Sequence, residues 1–287
     1  MSDKKIIITT DCTCDLPDEL LQKYGIDQVY FYIITNRGHF RDRDEITATN
    51  VFELMRDGVK PVSIAPPAEE YVKFFQKKLE NCDEIIHITI SDKVSLSYAN
   101  CNKAIEMLGE DGKRIHSIDS EHLSTGTGHL VLKAVEMIYE GCSVEKTVSY
   151  IEEMREHISS SFITKDAEFL YKNNKVSKNV EKFCKALSLH PVLGMRDGNI
   201  KLIGIFRGDY AKCQMRYVKK EMRRHSRINR DLLFITHAGA LVAQLENVKK
   251  YINSMEYFSR VYVTNASATV SSNCGPETIG VLFVEKF

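Results

Sequence analysis

Two serines stand where a hydroxyl could meet an anion. Ser63 and Ser95 each follow an apolar run, in Val62-Ser63-Ile64-Ala65 and Ile90-Ser91-Asp92-Lys93-Val94-Ser95, and each precedes a helical pattern, beginning near Ala68 and Leu96. Backbone N–H groups at a helix N-terminus lack partners within the helix, so a hydroxyl beside them completes an anion cradle. The same placement describes two ordinary helix caps, and taken singly each serine fits the cap. Asp11, Asp15 and Asp119 form a second set, in turns that follow strand-like runs. Three such carboxylates could hold Mg²⁺ for phosphoryl transfer, but Gly126-Thr127-Gly128 lacks the third glycine and the preceding strand of a phosphate loop. Capping and loop hydrogen bonds are the roles expected of them. Ser95 as a nucleophile would need a histidine base and an orienting carboxylate, and no Gly-x-Ser-x-Gly elbow or such trio is picked out. His87 in a strand pattern and His129 in a helical one read as packed or surface residues, and His237, expected to open a helix, reads as structural.

The elements that would position these groups fall into two sets. Up to about residue 157 short apolar runs alternate with amphipathic helices: Ile6-Ile7-Ile8, Val29 to Ile34, Ile85 to Ile88 and Ile115 to Ile118 read as strands. Such alternation predicts a mainly parallel, Rossmann-like sheet with helices on both faces and ligands at the carboxyl ends of its strands. Helices are expected over 125–140 and 144–157, joined at Gly141, with Ser143 capping the second. Beyond Ser160 strands dominate, Asp197-Gly198-Asn199 reads as a hairpin turn, and helices are expected near 181–188, 209–225 and 240–254. That pattern predicts a mixed or antiparallel sheet with packed helices. At 287 residues two domains are expected, 1–157 and 158–287.

Composition narrows the function classes. Lys plus Arg and Asp plus Glu each total 39, which argues against the global positive field of a nucleic-acid binder. The eight cysteines include no Cys-x-x-Cys pair, so they read as buried small hydrophobes, and no metal site is expected. No stretch is apolar enough to span a bilayer and the first residues lack a signal core, so the cytoplasm is the expected compartment. One charge anomaly stands out. A helix over 212–230 carries Lys212, Arg216, Lys219, Lys220, Arg223, Arg224, Arg227 and Arg230, with Ala211, Met215, Val218 and Met222 as its apolar stripe. A solvated face, an acidic protein partner and an anionic membrane surface all fit it. Nucleic acid is not expected, since only Tyr210 and Tyr217 are available for stacking.

Several segments in chain order resemble the DegV family. Thr10-Asp11-Cys12-Thr13-Cys14-Asp15-Leu16-Pro17 is similar to its opening motif, and Asn273-Cys274-Gly275-Pro276 before the last strand to its closing turn. Between them Phe40-Arg41-Asp42, Val62-Ser63-Ile64-Ala65-Pro66-Pro67, Ile90 to Tyr98, Ile118-Asp119-Ser120 and Lys172 to Ser177 match family segments, so the resemblance covers essentially the whole chain. It implies the DegV two-domain α/β fold and a bound long-chain fatty acid such as palmitate or oleate, with no cofactor and no catalytic machinery. The carboxylate would lie near Ser63, Ser95 and Asn273. Val62 replaces the usual threonine, Asn273 the usual histidine and Lys93 a glycine; Arg207 matches a family arginine. Val62, Lys93 and Arg207 are thus expected to face the pocket or a partner. The resemblance further implies presentation of the acid to a separate ATP-dependent fatty acid kinase. A small-molecule kinase or hydrolase in the same cleft is the competing reading, resting on Asp11, Asp119 and Ser95.

Overall fold

The opening run Ile6-Ile7-Ile8 becomes the second strand of a parallel sheet. The computed structural model describes residues 4–165, 167–172, 177–224 and 228–287. Strands in the first half are β1 (Ile6–Asp11), β2 (Asp27–Val29), β3 (Tyr32–Thr35), β4 (Gly38–Arg41), β5 (Val62–Ile64), β6 (Glu84–Thr89) and β7 (Ile115–Asp119). In the second half they are β8 (Ile158–Ile163), β9 (Leu189–Arg196), β10 (Asn199–Arg207), β11 (Ile228–Ala238), β12 (Arg260–Asn265) and β13 (Thr278–Glu285). The helices are α1 (Asp18–Tyr24), α2 (Ala48–Arg56), α3 (Ala68–Leu79), α4 (Ser97–Met107), α5 (Thr125–Tyr139) and α6 (Val144–Arg155). They continue with α7 (Glu168–Lys172), α8 (Lys178–Ala186), α9 (Tyr210–Arg224), α10 (Val242–Ser254) and α11 (Ala268–Cys274).

The parallel sheet runs β2-β1-β6-β7. Side chains alternate across it, as the pleat requires. Ile8, Ile86, Ile88 and Ile118 pack with α1, α5 and α6, whereas Ile7, Ile85 and Ile115 pack with α3 and α4 on the other face. The second sheet is mixed, ordered β10-β9-β8-β13-β11-β12, with only the β11–β12 pair parallel. Asp197-Gly198 forms the expected hairpin between β9 and β10, and Ser143 caps α6 by accepting from the Lys146 amide. No described helix is long and apolar enough to cross a membrane.

α5 joins the two sheets. It is apolar around its circumference, with Leu130, Val131, Leu132, Ala134 and Val135 buried. One core cluster contains Ile8 and Ile86 from the parallel sheet, these α5 residues, and Leu232, Phe234 and Leu282 from the mixed sheet. The glycines of Gly126-Thr127-Gly128 permit that approach. A Cβ at 126 would stand 2.3 Å from Ser160 Oγ, and one at 128 would stand 2.8 Å from Leu16 Cδ2.

Several expectations are corrected. Val29 to Ile34 is two strands: the chain leaves the parallel sheet at Tyr30-Phe31, where the Phe31 amide donates to Cys12 Sγ, and then enters a separate antiparallel sheet, β4-β3-β5. The basic helix is described as far as Arg224, and Arg230 belongs to β11 rather than to the helix; Arg227 lies outside the described residues, as do residues 173–176 of the Lys172 to Ser177 motif. The buried face of α9 is Tyr210, Cys213, Tyr217, Val218 and Met222, while Ala211 is exposed. His237 lies in β11 and opens no helix.

Buried ionisable groups tie stability to pH. Asp15 accepts from Ser124 Oγ at 2.5 Å and from the Ser267 amide at 2.8 Å, yet burial pushes its pKa up to about 7. His122 and His129 are pushed down to about 4, also by burial. The histidines lose stability as pH falls below their ordinary value, because the unfolded chain then binds more protons. Asp15 acts oppositely. Its folded pKa is raised, so its contribution is full below the unfolded value near 4 and is lost as pH rises towards 7. Asp15→Asn mimics the protonated acid and removes only that component. Urea unfolding across this window should show the variant gaining on the wild type by up to about 1.4 kcal/mol per pH unit, then holding level above pH 7; a pH-independent difference refutes the assignment.

Candidate functional site

One face of the mixed sheet is turned towards a cavity of about 1080 Å³. Strand alternation sorts the residues. In β13, Thr278, Gly280 and Leu282 line the cavity, while Ile279, Val281 and Phe283 enter the core beneath α9 and α10. From β9 and β10 come Pro191, Leu193, Ile200, Leu202 and Ile205. A bulge makes that set possible. Leu202 pairs with Leu193 and Gly204 with Val192, so Ile203 is an extra residue, and Ile205 opposite Pro191 returns to the face that Leu202 occupies. Leu202 and Ile205 are 58% and 52% exposed, so this wall presents open apolar surface.

Further wall comes from β5, the turn before α4, β8, β11 and α11. Ser63 lies in β5, where strand pleating turns its neighbour Val62 outward. It is therefore no helix cap. Ser63 Oγ accepts a hydrogen bond from Asn273 Nδ2 at 3.1 Å, joining two residues 210 positions apart. The same Asn273 amide donates to the Thr269 carbonyl at 2.8 Å and Ser272 Oγ at 3.3 Å. Ser95 also lines the cavity, and its Oγ accepts from the Ser97 amide at 3.2 Å, so it is a cap as well as a wall residue. Lys93 is on the wall, but its ammonium is held by Asp92 at 3.0 Å. Val62 and Arg207 are outside the lining. The expectation that they face the pocket or a partner is corrected for the pocket alone: Val62 is exposed at the start of β5, and Arg207 is the last residue of β10, its carbonyl accepting from Arg216.

Three buried aspartates hold these parts in position. Asp42 accepts the Ala268 and Thr269 amides, both at 2.8 Å, and so caps α11 from 226 residues away. Asp15 takes the adjacent Ser267 amide. Asp11 accepts from Ser97 Oγ at 2.5 Å, the Ile90 amide at 3.0 Å and the Tyr71 hydroxyl at 2.7 Å, fixing both ends of the 90–97 turn. Asp119 accepts from the amides of Asp92 and Glu121; burial raises its pKa to about 6. Neither Asp11 nor Asp119 lines the cavity. Among the described residues no cluster of His, Cys, Asp and Glu could hold a metal ion. The cysteines other than Cys142 are buried, and on the cavity wall burial pushes the Cys274 thiol up to about 12.

Sequence reading missed α11 as an element, and with it Thr269 and Val270 on the wall. The signal was Ser267, whose Oγ caps the helix by accepting from the Val270 amide at 3.3 Å. It missed Asp42 as a cap, which nothing local betrays. It also left His237 off the wall, where the structure puts it in β11; its buried Nδ1 has no hydrogen-bond partner among the described residues, and burial lowers its pKa.

Comparison with known proteins bears on the whole of this architecture. The family model described as "Uncharacterised protein, DegV family" matches residues 5–286. A DegV domain-containing protein of Caldanaerobacter subterraneus subsp. tengcongensis is 28% identical over 288 residues, covering 99% of this chain and 100% of the relative. Among solved structures, a DegV family protein from Thermus thermophilus described for its fatty acid binding has a TM-score of 0.87 at 25% identity, covering 98% of this chain and 100% of that one. A DegV family protein from Eubacterium eligens loaded with heptadecanoic acid has the same fold, with a TM-score of 0.83 at 19% identity and coverage of 98% and 100%. With a family match that leaves only the terminal residues uncovered, the chain belongs to the DegV family.

Proposed function

We propose that the protein is a carrier for one long-chain fatty acid, whose tail runs along β9, β10 and β13 and whose carboxylate meets Ser63, Ser95 and Asn273. The observation that carries this reading is the polarity of the cavity: β9, β10 and β13 of one sheet offer it apolar side chains, and hydroxyl and amide groups gather where Ser63 meets Asn273. Its 1080 Å³ lies just above the usual span of ligand pockets, about 300–1,000 Å³. The fatty acid binding described for the Thermus thermophilus relative and the heptadecanoic acid loaded into the Eubacterium eligens one support the ligand class. On this reading the loops with Ser63 and Ser95 belong to a unit spanning 1–157, and Asn273 and the tail wall to one spanning 158–287. The family resemblance supports the further step, delivery of the acid to a separate ATP-dependent fatty acid kinase. The carrier itself would work without a cofactor in the cytoplasm.

Magnitudes assign the roles within the ligand. Burial contributes roughly 0.8 kcal/mol per methylene, so about fifteen methylenes offer on the order of 12 kcal/mol gross, against about 1.5–3 kcal/mol for a hydrogen bond to a charge. The tail therefore sets affinity and the head sets orientation. Lys93 is already engaged by Asp92, which leaves neutral donors for the carboxylate.

Solvent extraction and mass spectrometry of the purified protein should recover about one equivalent of a long-chain fatty acid, and palmitate or oleate should raise the melting temperature of delipidated protein. Recovery of no acyl chain together with no thermal shift sinks the proposal. Substitution separates the two roles of the wall. Asn273→Ala and Ser63→Ala should each weaken palmitate binding by about tenfold, and Leu202→Asp, which sets a charge against the tail, by more. For Ser95→Ala a fall in melting temperature with unchanged affinity would reduce Ser95 to a helix cap and remove it from the binding site.

A further inference from the structure

Ser124 differs from an ordinary helix cap in two ways. It stands at the N-cap of α5 with φ 54° and ψ −144°, close to a region that only glycine adopts without strain, and its hydroxyl makes no cap bond to the helix. The hydroxyl is turned instead to Asp15, donating to Oδ2 at 2.5 Å. Asp15 is itself oriented, since its Oδ1 accepts the Ser267 amide at 2.8 Å. Ser124 also lines the large cavity. A hydroxyl within hydrogen-bond reach of a base, with that base held by a third group, is the arrangement of an activated oxygen nucleophile.

The backbone around it has the shape such a serine needs. β7 ends at Asp119, the chain turns through 120–124 and α5 begins at Thr125, so the serine sits on a strained turn between a strand and a helix. The turn is tight enough that His122 and Gly126, two residues before and two after the serine, meet: a Cβ at 126 would stand 3.1 Å from His122 Cβ. His122-Leu123-Ser124-Thr125-Gly126 keeps the second glycine of Gly-x-Ser-x-Gly and has histidine at the first, so the motif is not legible in the sequence. The Thr125 amide, at the first position of α5, has no acceptor within the helix and directly follows the serine, the place from which a backbone N–H stabilises an oxyanion. His122 is not the base, because its ring nitrogens meet Ser160 Oγ at 2.9 Å and the Arg155 carbonyl at 2.8 Å. That role falls to Asp15, which burial pushes up to about 7, into the range of a general base at neutral pH. The charged and titratable groups around Asp15 are Asp42, Arg43, Cys14 and, at the end of α11, Cys274.

We propose that Ser124 is the nucleophile of a site that hydrolyses long-chain acyl esters, with Asp15 as its base and the Thr125 amide as an oxyanion donor. Asp15 takes the Ser124 proton as Oγ bonds to the acyl carbonyl carbon. The bond from that carbon to the leaving oxygen then breaks, and the proton passes from Asp15 to the departing oxygen. Water attacks the resulting Ser124 ester in the same way: it gives one proton to Asp15, the bond to Oγ breaks, Oγ recovers that proton, and a fatty acid is left in the cavity. The choice of a long acyl chain rests on the carrier reading of the cavity. p-Nitrophenyl palmitate and a hexadecyl fluorophosphonate, applied to the delipidated protein, test the proposal. The wild type should hydrolyse the ester above the buffer rate, with turnover rising as pH passes about 7 and Asp15 ionises, and peptide mass spectrometry should place the phosphonyl group on Ser124. Ser124→Gly, which suits the backbone conformation, should lower turnover by about a hundredfold or more while palmitate still binds, and so should Asp15→Asn, which keeps an oxygen for the Ser267 amide. Ser254→Ala, at the exposed end of α10, should match the wild type. No turnover above buffer, a label on Ser63 or Ser95 in place of Ser124, or full activity of Ser124→Gly overturns the proposal. Palmitate binding is read separately by thermal shift. A protein that binds palmitate without cleaving the ester keeps the carrier reading and loses the esterase; one that cleaves p-nitrophenyl acetate through Ser124 as fast as the palmitate ester, and binds no palmitate, keeps the nucleophile and loses the acyl slot.

Discussion

The cavity depends on a carboxylate near one end of the chain capping a helix near the other. α11 has only seven residues, too few to hold a helix unaided in water, and its first N–H groups lack intrahelical partners. Asp42 accepts two of those amides and Asp15 the one before them, so a helix that carries Asn273 is fixed by residues more than two hundred positions away. Ser63, on the strand pairing with β3, then meets Asn273 because β3 and Asp42 belong to one excursion from the parallel sheet. The cap also raises the energetic stakes of burial. Asp42 and Asp15 are desolvated enough to be pushed upward in pKa, and their amide partners offset that penalty.

Strong local periodicity made the frame legible in sequence. Isoleucine runs alternating with amphipathic helices identified the parallel sheet, Asp197-Gly198 identified the β9–β10 hairpin, and Ser143 the start of α6. What escaped is non-local. The break between β2 and β3 leaves no mark in the run from Val29 to Ile34, because the last residue of β2, the Tyr30-Phe31 link and the start of β3 are all aromatic or aliphatic and only the strand partners differ. The register shift at Ile203 is equally silent, since a stretch of branched and apolar residues permits either phase. The basic helix was drawn too long because cations continue into β11, and charge carries no period that separates an exposed helix face from an exposed strand face.

The candidate site divides along the same line. The family resemblance pointed to Ser63, Ser95 and Asn273, and all three are on one cavity wall. Local reading of Ser63 as a helix cap failed because the helix begins five residues later, after Pro66 and Pro67, and the serine itself pairs in a strand. Local reading of Asp11 and Asp15 as loop fasteners agreed with the structure, where their oxygens are occupied by hydroxyl and amide donors.

α5 constrains how anything can enter. Its apolar surface is shared between the parallel and the mixed sheet, so parting the two like the shells of a clam would expose side chains all along the helix at once. Such an opening would return much of that shared core to water. Traffic through the interior must instead rely on small, local breathing at the margins, where β10 is held on one side only and the chain has least to lose.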